Sequence, residues 1–325
     1  MTTLLARVQE TAMCHHLWHR GSRILIGISG GPDSVCLFLL LVALQKKYSL
    51  TLFAAHVNYG LRGVASAGDE RFVRALTKHY GIPIVVHAIR PSALAQKGAN
   101  QEEVMRTMRY TFFEKVRRAK KCDAIAIAHT QDDQAETFLL ALLRGAGRRG
   151  LRAMAYRANT IIRPLLGTPR REILSYLKRE RAPFRTDATN RDVRLTRNRV
   201  RHRLLPYLAK NFNPSVRETL ATEALLFADE DAWFTAYVSA HPFGIRRGNS
   251  VRFSAPAFCD LPVALQRLHL REIIAILSPS LRGYTHRHIE ELRKAIMSTK
   301  NKPQTVSFFR LKMVRKGDSV KIIFA

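Results

Sequence analysis

The sequence is poor in acidic residues, and it has no apolar run long enough to cross a membrane. Asp and Glu number 25 against 54 Lys and Arg, which gives a formal net charge of +29 over 325 residues. The longest apolar run, Val35 to Leu44, falls well short of the roughly 20 residues that span a bilayer. The N-terminal segment also lacks the basic start, apolar core and cleavage site of a secretory signal. We therefore expect a cytoplasmic protein with no membrane association.

The excess of positive charge predicts a polyanionic partner, and nucleic acid is favoured over a membrane surface. No strongly amphipathic basic helix with bulky aromatic residues stands out, which argues against binding to a membrane surface. A generally basic proteome would also produce a high net charge, but it would not explain the clustered arginines described below.

Cysteine is scarce and forms no recognisable ligand pattern. Cys14, Cys36, Cys122 and Cys259 include no C-x-x-C pair, and none lies at zinc-binding spacing from histidine. The sequence therefore predicts neither a cysteine-based zinc site nor a disulfide framework. We expect all four to be small core or incidental residues in a reducing compartment.

Strand-like and helix-like stretches alternate along the first 145 residues. The predicted strands begin at residues 23, 50, 82 and 123, and helices are predicted over 34–48, 67–81, 100–121 and 131–145. This alternation is typical of an α/β fold, a doubly wound, mostly parallel sheet with helices on both faces. Ligands bind beyond the carboxyl ends of strands in such sheets, so the polar segments after the first, second and fourth strands should face one crevice.

After Leu166 the character of the sequence changes. A predicted helix at 169–184 is followed by a dense basic segment, a helical stretch to Tyr237, and strand-like segments near the end. We expect a smaller C-terminal domain that is mixed and largely helical. With the boundary placed near residue 210, the predicted domains are 1–210 and 211–325.

The loop between the first strand and the next helix reads SGGPDS, residues 29–34. Gly30 and Gly31 permit positive φ and a close approach of the backbone to an anion at a helix N-terminus. Ser29 and Ser34 can donate hydroxyl hydrogen bonds to phosphate oxygens. Asp33 would repel a bare phosphate, so it indicates a divalent cation beside it. No G-K-[ST] follows, so this is not a Walker A motif, and alone it could equally be a capped strand–helix turn.

Five blocks in this order and spacing resemble one enzyme family. SGGPDS is similar to the SGGxDS pyrophosphate loop of the N-type ATP pyrophosphatases, the PP-loop superfamily. The resemblance to tRNA(Ile)-lysidine synthetases rests on four further blocks: AHVNYGLRG (55–63), HTQDDQAETFLLALLRGAGRRGL (129–151), IIRPLL (161–166) and DATNRDVRLTRNRVRHRLLP (187–206). The resemblance covers roughly residues 20 to 230 and is weaker beyond them.

The resemblance implies a reaction that uses ATP and Mg²⁺ on RNA. In that family, O2 of the wobble cytidine in the CAU anticodon of tRNA(Ile) is adenylated and pyrophosphate is released. The ε-amine of L-lysine then attacks C2 and AMP leaves, which gives lysidine and makes the anticodon read AUA. By the same resemblance, residues 1–210 would be the catalytic domain and 211–325 would bind or support tRNA. Family members can be monomers or homodimers, and the sequence leaves that choice open.

The resemblance also implies where ATP binds. The matching nucleotide-binding residues are Ser29, Gly30, Gly31, Pro32, Asp33 and Ser34, and Asp33 would hold Mg²⁺ between the phosphates. His56 and Asn58, at the end of the second strand, would lie at the nucleotide edge of the crevice. A strand-terminal turn is an alternative interpretation of both, and for Asn58 it is nearly as good.

The HxxDDxxET block of the family matches His129, Asp133 and Glu136, which implies catalytic roles for all three. Their spacings of four and three residues would place them on one side of a helix. Two carboxylates there would suit a cationic lysine substrate, either for its α-amine or for the proton of its ε-amine. Taken alone, Thr130 and Asp133 would be a capping box. Asp132 points about 100° away on a helix and should differ in role.

Arginines outside this block match the family less specifically. Arg109 corresponds to a catalytic arginine near the ATP and lysine site, although it could also be a surface residue. Arg144, Arg148 and Arg149 lie in a Gly-rich loop and could contact ATP phosphates or RNA. Charged runs of this kind are more often solvated faces.

The basic segment from residue 185 to 203 contains seven arginines and two acidic residues. Arginine matches phosphate geometry and stacks on bases, which suits RNA. Arg197, Asn198 and Arg201 best match the family pattern TRNxxRxxLLP. We interpret the segment as a tRNA contact or as structure that supports the crevice, and it could instead tie the two domains together.

Two other functions remain open from the sequence. Related tRNA thiolases share the SGGxDS loop, but they typically need paired cysteines, which these spacings do not supply. A basic RNA-binding protein with a decayed ATP site is the second alternative. Pure RNA binding would not require Ser29, Asp33, His129, Asp133 and Glu136, which favours an enzyme. ATP hydrolysis that depends on tRNA would distinguish the two.

Overall fold

The computed structural model describes residues 3–61, 63–89, 101–186, 195–278, 283–300 and 302–324. The helices are α1 (Leu4–Cys14), α2 (Pro32–Tyr48), α3 (Val64–His79), α4 (Gln101–Ala119), α5 (Gln131–Leu143), α6 (Gly147–Leu151), α7 (Arg170–Arg179), α8 (Thr196–Arg199), α9 (Leu205–Asn211), α10 (Val216–Ala240), α11 (Ala255–Cys259), α12 (Val263–Leu277) and α13 (His286–Ile296). A π-helical turn, Val200–Leu204, joins α8 to α9. The strands are β1 (Arg23–Gly27), β2 (Thr51–Asn58), β3 (Ile84–Ala88), β4 (Ala124–Ala126), β5 (Arg157–Ala158), β6 (Ile161–Ile162), β7 (Ile245–Arg247), β8 (Ser250–Ser254), β9 (Gln304–Phe308), β10 (Leu311–Lys316) and β11 (Ser319–Phe324).

The first sheet has the strand order β3-β2-β1-β4-β6-β5. β1 to β4 and β6 pair in parallel, whereas β5 pairs antiparallel with β6. The predicted α/β fold with a mostly parallel sheet is therefore confirmed, and all four predicted strands are present.

Alternate residues of β1 serve opposite faces of this sheet, as the strand geometry requires. Ile24 and Ile26 are fully buried in the core that contains α2, whereas Leu25 packs with Phe113 on the other face. A Cβ atom at Gly27 would lie 2.7 Å from the ring of Phe113, so only glycine allows α4 to approach β1 this closely. Helices therefore cover both faces, which is why β1 is apolar at almost every position.

The strand order also explains where the polar segments meet. β1 lies between β2 and β4, with Gly27 beside Ala55 and Ile26 beside Ala126. The chain after β1 enters α2 and the chain after β4 enters α5, so a crevice forms where the sheet order reverses. The predicted convergence of the segments after the first, second and fourth strands is confirmed.

Some element boundaries differ from the sequence-based prediction. α3 begins at Val64, three residues earlier than predicted, and α7 ends at Arg179 rather than at residue 184. The helix cap predicted at Asn100 lies outside the described residues. The basic segment, for which no element is predicted, is helical from Thr196 onward because its apolar residues Val200 and Leu205 are buried against Leu139 of α5.

The chain divides into two compact units, residues 1–229 and 230–325. This division falls within α10 (Val216–Ala240), about 20 residues after the predicted boundary. The catalytic domain 1–210 and the tRNA-binding domain 211–325 stay predictions.

The second unit combines helices with a five-stranded antiparallel sheet of order β7-β8-β11-β10-β9. Its core joins buried strand residues such as Met313 and Ile322 to Ile274 of α12 and Leu292 of α13. The sequence predicts a mixed domain here, but it does not specify this sheet. Among the described residues, no helix is long and apolar enough to cross a membrane.

Candidate functional site

The segment after β1 forms a tight loop that ends at the N-terminus of α2. Gly30 has φ of +89°, a conformation that glycine adopts without strain. The Ser34 hydroxyl donates to the carbonyl oxygen of Gly31 at 2.9 Å and accepts from the Ser29 backbone N–H at 3.2 Å. Gly31 is the N-cap and provides no side-chain cap to α2. The uncapped helix N-terminus therefore suits an anion.

Asp33 lies in the first turn of α2. Its Oδ2 accepts a hydrogen bond from Arg170 at 2.9 Å, whereas its buried Oδ1 has no partner among the described residues. Burial raises the pKa of Asp33 to about 6; the charge of Arg170 opposes this rise and that of Asp133 adds to it. The carboxyl is therefore still mostly ionised at pH 7.

The unpartnered Oδ1 of Asp33 tests whether Mg²⁺ suits this site. A buried carboxylate oxygen without a partner is costly, and a hard cation would satisfy it. The described residues hold no group of three or more His, Cys, Asp or Glu side chains that could bind a metal. Mg²⁺ commonly binds through one or two carboxylates together with substrate phosphates, so Asp33 beside a phosphate loop fits.

The first turn of α5 holds the second group of polar side chains. Asp133 Oδ2 accepts from the backbone N–H of Thr130 at 2.9 Å and from its hydroxyl at 3.1 Å. The capping box suggested by the sequence is therefore present. Oδ1 of the same carboxylate accepts from Arg197 at 3.0 Å and from Arg201 at 2.9 Å. Asp133 thus caps α5 and also binds the basic segment.

Glu136 lies one helical turn further and is completely buried. Arg201 donates to both carboxylate oxygens, and Arg197 Nε donates to Oε2 at 2.9 Å. Burial opposes ionisation of Asp133, but Arg197, His129 and Arg201 hold its pKa below the ordinary value. Two carboxylates and two arginines therefore form a charge-balanced cluster, which we call the Asp133–Glu136 cluster.

His129 precedes α5, which begins at Gln131, so the predicted helical placement is wrong for His129 and holds for Asp133 and Glu136. His129 is neutral near pH 7. Its Nδ1 accepts a hydrogen bond from Arg163 Nε at 3.0 Å. Burial lowers the pKa of His129 to about 3, Asp133 opposes this shift, and Arg163 reinforces it. This hydrogen bond assigns the proton to Nε2, so His129 is placed to donate a hydrogen bond rather than to accept a proton at Nδ1.

The end of β2 fixes the phosphate loop from the other side. His56 is buried, and its Nδ1 donates to the carbonyl oxygen of Ile28 at 2.8 Å, while burial lowers its pKa. Asn58 donates to Glu70 at 3.0 Å and accepts from the Gly60 N–H at 2.9 Å. Asn58 is therefore engaged in a strand-terminal turn, which is the alternative that the sequence left open.

The remaining predicted arginines lie at different distances from this crevice. Arg109 belongs to α4, and its charge adds to the lowering of the His129 pKa. Arg144 is the C-cap of α5, and Arg148 and Arg149 belong to α6. Because α5 has 13 residues, its C-terminus lies about 20 Å from its first turn. This distance favours the RNA interpretation of Arg144 over a phosphate contact.

The described part of the basic segment divides between the crevice and the solvent. Arg185 donates its backbone N–H to Gly30 of the phosphate loop at 2.9 Å. Arg197 and Arg201 face inward to the Asp133–Glu136 cluster, whereas Arg199 and Arg203 are exposed. Asn198 is buried. For Arg197 and Arg201 the structure thus favours support of the crevice over direct tRNA contact; Arg191 and Arg194 lie outside the described residues.

Sequence reasoning missed two residues of the site, Arg163 and Arg170. Arg163 orients His129 by donating to its Nδ1. Arg170 connects the N-termini of α2 and α5, because its guanidinium donates to Asp33 and its backbone N–H donates to Asp132. Asp132 accepts from the Arg170 backbone N–H at 2.9 Å and lies 3.4 Å from Arg217. Arg163 belongs to the IIRPLL block and could have been suspected, but nothing distinguishes Arg170 from its many neighbouring arginines.

Comparison with known families and curated proteins gives consistent relatives. The PP-loop domain family matches residues 3–208. The tRNA(Ile)-lysidine synthase of Geobacter sulfurreducens is 36% identical over 304 residues, covering 91% of this chain and 64% of that protein. That of Thermosynechococcus vestitus is 36% identical over 307 residues, covering 93% and 86%. That of Clostridioides difficile is 32% identical over 319 residues, covering 97% and 69%. The chain thus spans slightly under two thirds of the Geobacter relative.

Among solved structures, a U34-tRNA thiolase from Methanococcus maripaludis with its [4Fe-4S] cluster is similar, with a TM-score of 0.56. The similarity covers 68% of this chain and 77% of that one, at 20% sequence identity. Similarity at this level shows the fold alone.

Proposed function

Because the chain belongs to the PP-loop family and, within it, to the tRNA(Ile)-lysidine synthases, we propose that it forms lysidine in tRNA(Ile). The substrates are ATP, L-lysine and the tRNA whose anticodon is CAU. Mg²⁺ is the accompanying cation.

The reaction has two transfers. O2 of the wobble cytidine attacks the α-phosphorus of ATP, the bond to the β-phosphate oxygen breaks, and pyrophosphate leaves with the bonding electrons. The ε-amine of lysine then attacks C2, the C2–O2 bond breaks, and AMP leaves carrying that oxygen. The amine loses one proton in this step.

One observation carries the proposal: the phosphate loop and the Asp133–Glu136 cluster meet beyond the carboxyl ends of β1 and β4. Arg170 spans them, since it donates to Asp33 of α2 and to Asp132 of α5, each at 2.9 Å. A phosphate site beside paired carboxylates suits a reaction that joins ATP to a cationic amine.

The geometry supports different roles for the predicted residues. Asp33 would hold Mg²⁺, which neutralises charge on the phosphates as pyrophosphate leaves. The loop Ser29–Ser34 would bind the phosphates through its backbone and hydroxyl groups. His129 would donate from Nε2, and Arg109 would stabilise negative charge.

The two carboxylates of the Asp133–Glu136 cluster differ in access. Asp133 has a side chain that is 13% exposed, whereas Glu136 has none of its surface exposed. Asp133 is therefore the carboxylate that would meet the lysine amine, with Arg197 and Arg201 giving up hydrogen bonds to it. Glu136 would hold these arginines in place and is a positioning residue in this arrangement.

Nucleoside mass spectrometry tests the proposal. The purified protein is incubated with ATP, Mg²⁺, lysine and unmodified tRNA(Ile) bearing CAU, and the digested RNA is searched for lysidine. Lysidine should appear only when ATP and lysine are both present. A methionine tRNA with the same anticodon tests tRNA choice. Unchanged cytidine, or a thiolated cytidine instead of lysidine, would overturn the proposal.

A further inference from the structure

Arg170 lies at the first position of α7 and connects the two halves of the crevice. Its backbone N–H donates to Asp132 at 2.9 Å, and its guanidinium Nη1 donates to Asp33 at 2.9 Å. The first contact fixes the start of α7 to α5 without using the side chain. The second brings a guanidinium to the first turn of α2, beside the phosphate loop.

The guanidinium of Arg170 has more N–H donors than hydrogen bonds among the described residues. A guanidinium carries five N–H donors, and that of Arg170 makes one hydrogen bond to the described residues. Its side chain is 42% exposed. Arg197 and Arg201 differ, because each is already bound to both Asp133 and Glu136. Arg170 can therefore bind an incoming anion without disturbing the Asp133–Glu136 cluster.

Binding of a cation and a nucleotide at Asp33 would change the hydrogen-bond partner of Arg170. A divalent cation and a guanidinium on one carboxylate repel each other, so a cation bound to Asp33 weakens the ion pair with Arg170. The phosphates held by the adjacent loop offer the guanidinium a bidentate partner of higher charge. Arg170 then exchanges a carboxylate for phosphate oxygens within the same crevice.

We propose that Arg170 binds the β- and γ-phosphates of ATP, the future pyrophosphate, and that Asp33 holds its guanidinium ready before nucleotide binds. The inference rests on the proposed function, since it takes ATP as the ligand of the loop. In this role, Arg170 stabilises the negative charge that develops on pyrophosphate as it leaves the α-phosphorus.

Binding measurements without RNA or lysine test this assignment. Isothermal titration with ATP and with inorganic pyrophosphate, both with Mg²⁺, compares the native protein with Arg170→Ala, Arg170→Lys and Arg171→Ala. Displacement of a fluorescent ATP analogue by AMP reports on the other end of the nucleotide. Arg171 is the matched control because it is exposed, adjacent on α7 and of the same charge.

Arg170→Ala should weaken pyrophosphate and ATP binding by about 10- to 100-fold, as expected for lost charge-assisted hydrogen bonds. Arg170→Lys should retain part of the affinity, because it keeps the charge and loses the fork. AMP affinity should change by less than about threefold, and Arg171→Ala should match the native protein to within about twofold.

Each result has a definite meaning. Native-like pyrophosphate binding by Arg170→Ala would overturn the assignment, and so would an equal loss of AMP and pyrophosphate affinity in both Arg170 variants. If the native protein binds ATP but forms no lysidine, the proposed function is refuted. The comparison of ATP and pyrophosphate binding would still test the role of Arg170. Native protein that binds neither ATP nor pyrophosphate would refute both.

Discussion

Arg201 donates one hydrogen bond to each carboxylate oxygen of Glu136, and the acceptor has no exposed surface. This fork-to-carboxylate pairing joins the basic segment to α5 at the centre of the crevice. A buried pair of this kind fixes geometry more than it adds stability, because both groups lose their hydration. Its role is therefore to hold the guanidinium of Arg201, and with it Asp133, at one position.

Loss of the Glu136 carboxylate should destabilise the protein strongly. Glu136→Ala leaves the half-buried guanidiniums of Arg197 and Arg201 with a single shared carboxylate, at a cost of about 2–4 kcal/mol in the free energy of unfolding. Urea denaturation at pH 7 measures the change. Glu180→Ala is the control, because Glu180 is 44% exposed and its partner Arg179 is 58% exposed, which predicts less than about 1 kcal/mol. Equal losses in the two variants would contradict the buried-pair interpretation.

Asp33 and Asp133 should separate catalysis from stability. Asp33→Ala removes the expected Mg²⁺ ligand and should abolish lysidine formation, while the free energy of unfolding and the tRNA affinity stay near native values. Asp133→Ala also removes a helix cap worth about 1 kcal/mol and the shared partner of two arginines. It should therefore lose activity and also stability, by about 2–4 kcal/mol. Lysidine assays measure activity, filter binding measures tRNA affinity, and urea denaturation measures the free energy of unfolding. Near-native lysidine formation by Asp33→Ala would refute the role of Asp33.

His129 should stay neutral across the physiological pH range. Burial lowers its pKa to about 3, so its ring signals in a proton NMR titration should not shift between pH 5 and 8. The unfolded chain binds this proton near pH 6.5, so the folded state should lose stability as pH falls from that value toward 3. His129→Gln should remove this part of the acid sensitivity. A His129 titration with a midpoint above pH 6 would disprove the assignment.

Residues that act locally could be predicted from the sequence. The apolar runs gave the four parallel strands, and the small residues around Gly30 gave a loop at a helix N-terminus. The spacing of Asp133 and Glu136 placed both on one side of α5. Each of these depends on neighbours in the chain, and the structure agrees.

Residues whose role depends on distant partners could not be predicted. Arg197 and Arg201 face inward because α8 and the π-helical turn set a register that no periodicity in the sequence reveals. Arg170 acquires its place through Asp33, which lies 137 residues away in the chain. With 54 Lys and Arg residues, composition alone cannot distinguish the few that bind buried carboxylates.

The second unit should show its own acid sensitivity at Glu290. Hydrogen bonds from Arg267 and Arg293 lower the pKa of Glu290 to about 2 from an ordinary 4.5. A lowered carboxyl pKa stabilises the folded state above pH 4.5 and ceases to do so as pH falls toward 2. Glu290→Gln should therefore cost about 1–2 kcal/mol at pH 7, and much less near pH 2.

Scanning calorimetry at pH 7, 4 and 2 follows this difference. Glu291→Gln is the neighbouring control, since Glu291 is 40% exposed and its partner Arg287 is 86% exposed. The control should change the melting temperature little at any of the three pH values. A Glu290→Gln deficit that does not shrink at pH 2 would show that packing, not the ion pairs, is lost.

The exposed arginines of the basic segment should contribute electrostatically to RNA affinity. Arg199 and Arg203 face solvent, and each phosphate contact removed should lower the slope of log affinity against log salt by about 1. Arg199→Ala with Arg203→Ala should therefore weaken tRNA binding at low salt and flatten its salt dependence. Lys46→Ala is the control, because the exposed Lys46 lies in the last turn of α2, about 20 Å along the helix from the phosphate loop.

Filter binding at several salt concentrations measures both slopes. If the double variant kept the native slope while Lys46→Ala lowered it, the RNA would bind at the opposite end of α2. An unchanged slope in both variants would place the phosphate contacts elsewhere on this strongly basic surface. A reduced slope confined to the double variant would mean that α8 and the π-helical turn have two functions. Their inward arginines bind the carboxylates of the crevice, and their exposed arginines bind the RNA.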